Sequence, residues 1–233
     1  MTDQAEFLRY GVYLAPSASL GVQGAAWLGW DVFQGTDVSQ PAGLGVDLDG
    51  LTQRPRRYGF HATIKPPFQL ADDATEADLR LALAKLVGGL LAIQIGALQP
   101  SWIGRFLALV PRDDDASLRP IADSVVAGLD RFRAPMTPEE RVRRSHRGMS
   151  DVQQTYLERW GYPHVFDAFQ CHLTLTGPVS KSQRGAVEHA ARVHFADTLG
   201  TALPATELAL VGESHNGRFR VIETFALGGP LPG

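Results

Sequence analysis

Cysteine is nearly missing from this chain: Cys171 is the only one in 233 residues. A single thiol excludes an intramolecular disulfide framework and suits a reducing compartment. Long apolar runs are missing as well. None approaches the roughly 20 residues that cross a bilayer, and the first residues lack the basic and apolar regions of a secretion signal. A cytoplasmic protein with no membrane partner is therefore expected. An excess of positive charge is also absent, since 22 Lys and Arg face 25 Asp and Glu for a formal net charge of −3. Without a general basic field for nucleic acid, any anion site must be local. His146, His164 and His215 stand at no regular ligand spacing to Cys, Asp or Glu. A zinc site is not expected on that pattern, and the chain is expected to need no cofactor.

What is present is an ordinary globular composition, 44% hydrophobic and 20% charged, long enough to bury a proper core. Within it one short pattern occurs twice. Residues 58–64 read Tyr58-Gly59-Phe60-His61-Ala62-Thr63-Ile64, and residues 169–175 read Phe169-Gln170-Cys171-His172-Leu173-Thr174-Leu175. On a β-strand, side chains at i and i+2 share a face, so His61 goes with Thr63 and His172 with Thr174. A proton-transfer group beside a hydroxyl, supplied twice, is a minimal kit for acid–base chemistry on an anionic group. The same alternation puts Lys65 with His61 and Thr63, and Thr176 at the matching place in the second copy. It turns Cys171 away from His172, against a Cys–His nucleophile.

The elements around the two copies match in order. A strand over 8–15, with Tyr10, Val12 and Leu14 on one face and Arg9, Gly11 and Tyr13 on the other, precedes a helix from Ser17 or Ser19 to Trp30. Residues 34–57 read as one long loop. Lys65-Pro66-Pro67 ends the first motif strand. A helix over 75–90 follows, then strands near 92–99 and 105–110 joined by a turn from Pro100 to Gly104. Asp113 to Asp115 reads as a solvated turn before a mostly helical stretch over 117–160, interrupted by Pro135 and Pro138 and closed by Gly161 and Pro163. The second motif strand covers 166–176, and a helix follows over 182–199. The chain closes with a hairpin of 207–212 and 219–227 around Asn216-Gly217. Each half thus has a motif strand, a helix and a strand pair. The expected fold is α+β and bilobal: one domain over 1–233, with motif-bearing halves 1–115 and 116–233 related by a pseudo-twofold axis about a central cleft.

The paired His-x-Thr-aliphatic motifs resemble the signature of the 2H phosphoesterase superfamily, which includes the RNA ligase-like cyclic phosphodiesterases. Arg9-Tyr10-Gly-Val-Tyr-Leu-Ala-Pro16, Trp27-Leu-Gly-Trp-Asp31, the stretch Tyr58 to Phe68, Trp160-Gly-Tyr-Pro163 and His172 to Gly177 are similar to a narrower branch. That branch is named for phosphonate metabolism and is encoded near carbon–phosphorus lyase genes. The resemblance implies a bilobal fold and a metal-independent cyclic phosphodiesterase, with His61, Thr63, His172 and Thr174 as catalytic residues. It implies a small phosphorylated sugar or nucleotide as substrate, first of all a ribose cyclic phosphate.

Lys65, Tyr58, Phe169, Thr176 and Tyr13 are candidate substrate contacts, although aromatic strand residues are more often core. The basic run Arg141-Val-Arg-Arg-Ser-His-Arg147 reads first as a solvated surface and second as a phosphate-recruiting patch. Two other functions stay open. One is an enzyme of the same mechanism that processes 2′,5′ or 2′,3′-cyclic phosphate RNA ends, so RNA is kept as an alternative partner. The other is a non-catalytic nucleotide- or RNA-binding protein. The oligomeric state and the acid and base assignment of the two histidines are not readable from the chain.

Overall fold

The computed structural model describes residues 6–113, 116–145 and 148–228; Asp114, Asp115, His146 and Arg147 lie outside them. In chain order its elements are β1 (Tyr10–Leu14), α1 (Ser19–Leu28), β2 (Trp30–Asp31), β3 (Thr36–Asp37), α2 (Leu48–Arg56), β4 (Ala62–Phe68), α3 (Glu76–Val87), β5 (Ile93–Ile103), β6 (Phe106–Pro111), α4 (Arg119–Gly128), α5 (Pro138–Arg144), α6 (Asp151–Trp160), β7 (Leu173–Thr174), α7 (Arg184–His194), β8 (Ala202–Ala205), β9 (Glu207–Glu213) and β10 (Phe219–Ala226). The α+β class is as expected.

Eight strands form one sheet in the order β10-β9-β1-β4-β7-β6-β5-β8, and the named pairings are antiparallel. The two motif strands, β4 and β7, sit at its centre and meet through one residue pair, Ala62 opposite Leu173. Each is the inner strand of a four-stranded half. The halves exchange their hairpins: β5 and β6 follow the first motif in sequence but pair toward β7, while β9 and β10 follow the second but pair toward β1 and β4. β7 is thus flanked on both sides by strands of the first half, β4 and β6, whereas β4 keeps β1 of its own half on one side.

Alternation places the core. Val12, Leu14, Ala62, Ile64, Leu173 and Leu175 point to one face, where they join the main apolar cluster with residues of α3, α4 and α7. The opposite face near β1, β9 and β10 carries a smaller cluster that includes Tyr13, Trp30, Val32, Val211 and Phe219. Local chemistry explains the helix ends: Thr75, Thr137 and Ser150 side chains accept from the third residue on, and Gly29 and Gly161 close α1 and α6 in the left-handed conformation. Gly24 lets α1 lie on the first motif, because a Cβ there would sit 2.1 Å from the Phe60 ring.

Several expectations needed correction. The stretch 34–57 is not one loop, for it contains β3 and α2, with Asp47 capping α2 and Pro55 in its last turn. β5 runs through Pro100 to Ile103, and the turn is Gly104-Arg105. The second motif strand is short: residues 166–168 form a 3-10 turn, and β7 is only Leu173–Thr174. The helix expected over 182–199 is regular only over Arg184–His194, after a 3-10 turn at Lys181–Gln183.

The largest correction concerns Lys65. β1 pairs Tyr13 with Thr63 but Val12 with Lys65, so a bulge at Ile64 shifts the register by one. That slip turns Lys65 onto the core face with Val12. It is 2% exposed, and its ammonium lies 5.2 Å from the Phe68 ring centroid and donates to the Val126 carbonyl at 3.1 Å. Val126 is in the last turn of α4, where carbonyls lack helical partners and a positive charge is favourable. Burial nonetheless lowers the Lys65 pKa to about 8. Lys65→Ala should cost about 2–3 kcal/mol in urea unfolding, through the cavity and the orphaned carbonyl.

Candidate functional site

His61 and His172 stand just before β4 and β7, on the sheet face away from the main core. The antiparallel register through Ala62 and Leu173 sets His61 beside Thr174 and Thr63 beside His172. The result is a quartet of alternating imidazole and hydroxyl side chains about a local twofold axis. It lies in a cleft of about 530 Å³, and all four residues line it.

Both imidazoles are held in the same way. His61 Nδ1 lies 2.9 Å from the Gly59 carbonyl, and His172 Nδ1 lies 2.8 Å from the Gln170 carbonyl. A carbonyl only accepts, so each Nδ1 carries the proton, and in the neutral ring each Nε2 is left as the acceptor. Thr63 Oγ1, 3.1 Å from His61 Nε2, is then the donor in that contact. Gly59 is needed for this clamp: its φ is +76°, and a Cβ there would approach the Val32 Cβ to 2.5 Å.

The two sides differ in rigidity. Tyr13 stacks on His61 with ring centroids 3.5 Å apart and planes 12° apart, whereas Phe106 meets His172 at 5.9 Å and 46°. Burial, with the nearby charge of His172 as a lesser cause, lowers the His61 pKa to about 4; its bond to Gly59 opposes this. Burial lowers the His172 pKa as well, against its bond to Gln170. Burial also raises the Tyr13 phenol well above its ordinary range, and its hydroxyl is buried without a partner among the described residues.

The second motif is tied in place by backbone chemistry. Pro55 has no N–H, which frees the Leu51 carbonyl in α2. That carbonyl accepts from Gly177 N–H at 2.8 Å, while the Trp27 indole donates to the Leu175 carbonyl at 2.9 Å. Thr176 Oγ1 accepts from Leu107 N–H at 3.0 Å, so Thr176 lines the cleft but is also part of the frame.

Among the other candidates, Tyr58 lines the cleft and stacks on Phe219 at 5.2 Å, and Tyr13 lines it beneath His61. Lys65 and Phe169 do not line it. Phe169 packs against the main core and borders a separate cavity of about 270 Å³ with Cys171. Its place in the motif matches Tyr58, but the chain reaches His172 from a 3-10 turn rather than along a strand, so strand periodicity does not apply.

Sequence reasoning missed much of the wall: Arg9, Arg54, Tyr162 and His164 all line the cleft. Arg9 had a visible signal, since it shares the strand face of Tyr13. The basic run contributes Arg143 and Arg144 to the cleft, while Arg141 pairs with Glu158. Among the described residues the lining thus includes four arginines and no carboxylate, in a chain of net charge −3. Among the described residues, no three His, Cys, Asp or Glu side chains are grouped to hold a metal ion. No described helix is long and apolar enough to cross a membrane.

The profile of the family described as "Protein of unknown function (DUF1045)" matches residues 63–220. The chain belongs to that family. Two curated relatives are named "Ribose 1,5-bisphosphate phosphokinase PhnN". The one from Laribacter hongkongensis is 31% identical over 90% of this chain and 49% of its own, and the one from Janthinobacterium is 30% identical over 87% and 46%. The chain therefore spans about half the length of the curated relatives it matches. Among solved structures, E. coli LigT in apo form matches with a TM-score of 0.46 and 17% identity, over 97% of this chain and 100% of that one. LigT complexed with 3′-AMP matches at 0.45 and 15%, over 96% and 100%.

The histidine clamps give a pH signature. An unfolded histidine takes up its proton near 6.5, before folded His61 does at about 4. The stabilising difference is complete above 6.5 and is lost as pH falls toward 4, by on the order of 2–3 kcal/mol. Urea unfolding at pH 7 and pH 4.5 should show that loss, and His61→Asn should lack this part of it. Tyr13→Phe keeps the stack and removes the partnerless hydroxyl. Its stability should equal the wild type or exceed it by about 1 kcal/mol.

Proposed function

We propose that this protein is a cyclic phosphodiesterase of the 2H type that opens a cyclic phosphate on a ribose-type small molecule without a metal. The observation that carries this reading is the quartet itself: two Nδ1-clamped imidazoles presenting Nε2 across an arginine-lined cleft, each beside a threonine.

In this reading water attacks phosphorus and gives its proton to the Nε2 of one histidine. The endocyclic P–O bond breaks, and the departing alkoxide takes a proton from the Nε2–H of the other. His61 is the base, because burial and its neighbour hold it neutral; His172 is the acid. Thr63 turns its hydroxyl from His61 Nε2 to a non-bridging oxygen, and Thr174 donates to another, where charge builds in the transition state. Each turnover leaves His61 protonated and His172 neutral, and exchange with water resets both. The Nδ1–H bonds persist throughout and fix the rings.

The ribose moiety is supported by the relatives named for ribose 1,5-bisphosphate, and it suits a place in phosphonate breakdown. Their kinase activity is not carried over. The sequence contains no Gly-Lys dipeptide, so it has no P-loop of the usual phosphokinase pattern. Processing of RNA ends is the second reading, favoured by the cationic wall.

His61→Ala and His172→Ala should each lower turnover of a ribose cyclic phosphate by about 10² or more while the fold survives. Phosphorus NMR with chelator present checks this against nucleoside 2′,3′-cyclic phosphates and RNA ends. Full activity in either variant would sink the two-histidine mechanism. In the free enzyme the acid must start protonated although its pKa is lowered, and the base loses function below about 4. The kcat/KM profile should therefore peak on the acid side of 6.5, with His172→Ala removing its alkaline limb. An optimum above pH 8 would contradict the assignment.

A further inference from the structure

The cleft continues past the histidines along β4 to Pro66 and Pro67, and its character changes there. Arg144 dominates this end. Its side chain is only 16% exposed, yet its guanidinium is held by neutral acceptors, the carbonyls of Gly161 and, at 2.9 Å, Pro67. The nearest carboxylate among the described residues, Glu140, is 3.9 Å away and is shared with Arg143 at 3.3 Å. Arg9, by contrast, is bound by both oxygens of Glu213 at 2.5 and 2.9 Å. Tyr162 lines the cleft close enough to Arg144 to feel its charge, and burial raises its phenol pKa, so it remains a donor at neutral pH. A largely buried guanidinium whose carboxylate neighbour stands at 3.9 Å and is shared with a second arginine, beside a phenol donor, is chemistry that an incoming anion completes.

We infer that the Arg143–Arg144 end of the cleft is a second anion subsite, which binds a phosphate monoester carried by the same substrate whose cyclic phosphate lies between His61 and His172. This rests on the cyclic phosphodiesterase reading for the first site only. Thr63 and Pro67 are four residues apart on an extended strand, roughly 13 Å. A ribose with a ring phosphate at one end and a monoester at the other, hydrogen-bonded at both ends, spans that length. The guanidinium of Arg144 supplies the planar fork that a dianionic phosphate accepts, and Arg143 adds charge from the rim. The cleft is therefore selective for doubly phosphorylated sugars over singly phosphorylated ones.

The binding test uses ribose 5-phosphate, which has the monoester and no ring phosphate, with ribose as control. Calorimetry should show that it binds the wild type and the His61→Ala/His172→Ala variant alike, and binds Arg143→Gln and Arg144→Gln at least tenfold more weakly. Arg144 also ties two backbone segments, so its variant is judged only if its melting curve matches the wild type. Arg143 is exposed, and Arg143→Gln decides alone if Arg144→Gln unfolds. Undiminished binding in the folded variants, or no binding to the wild type, overturns the subsite. The kinetic test compares ribose 1,2-cyclic phosphate with its 5-phosphate. A kcat/KM at least tenfold higher for the phosphorylated compound, lost in Arg143→Gln, supports the inference, and equal values overturn it. Arginine-dependent binding without turnover of either compound would reject the phosphodiesterase reading and leave the subsite standing.

Discussion

One backbone pairing, Ala62 against Leu173, organises the molecule. It is the point at which β4 and β7 meet, and it joins two four-stranded halves into one sheet. Because side chains alternate, the pair sends two apolar residues into the core and leaves the flanking His and Thr of both strands on the other face. A slip of one residue in either strand would bury the histidines and expose Ala62 and Leu173. The geometry of the site and the packing of the core are thus the same constraint seen from opposite faces.

The surrounding structure serves to make that short junction hold. β7 has only two residues in regular pairing, so its flanks are secured by other means: Trp27 on Leu175, the Leu51 carbonyl on Gly177, and Leu107 on Thr176. The Leu51 contact shows how a local defect is used. Proline in the last turn of α2 leaves a carbonyl without its helical donor, and the second motif supplies one. On the β4 side the opposite device operates. The bulge at Ile64 rotates the strand after Thr63, removes Lys65 from the cleft and gives it to the end of α4.

The asymmetry between the two histidines follows from the same arrangement. His61 is backed by β1 and its Tyr13, while the crossover of the β5–β6 hairpin backs His172 with β6 and Phe106. A parallel stack at 3.5 Å on one ring and a tilted contact at 5.9 Å on the other give two chemically identical groups different surroundings. Different proton affinities are the expected consequence. The cationic wall is asymmetric too, with Arg9, Arg143 and Arg144 gathered toward one end of the cleft and Arg54 beside Gly177.

The amino-acid pattern was sufficient for the α+β class, the order of motif strand, helix and strand pair, and the pairing of His61 with Thr63 and His172 with Thr174. These depend on short-range rules: period-two alternation, N-caps at Thr75 and Ser150, the Asn-Gly turn. It failed where a long-range contact overrode the local period. Lys65 left the site because of a register shift that only the β1 partner imposes. Phe169 left it because the chain enters β7 from a turn. Arg143 and Arg144 entered it because the end of α5 is tied to β4, Arg144 donating to the Pro67 carbonyl, and no spacing in the basic run marks which of its described residues line the cleft. Which strands meet, and therefore which distant side chains share a cleft, is a property of pairing between segments far apart in sequence, and only the tertiary structure decides it.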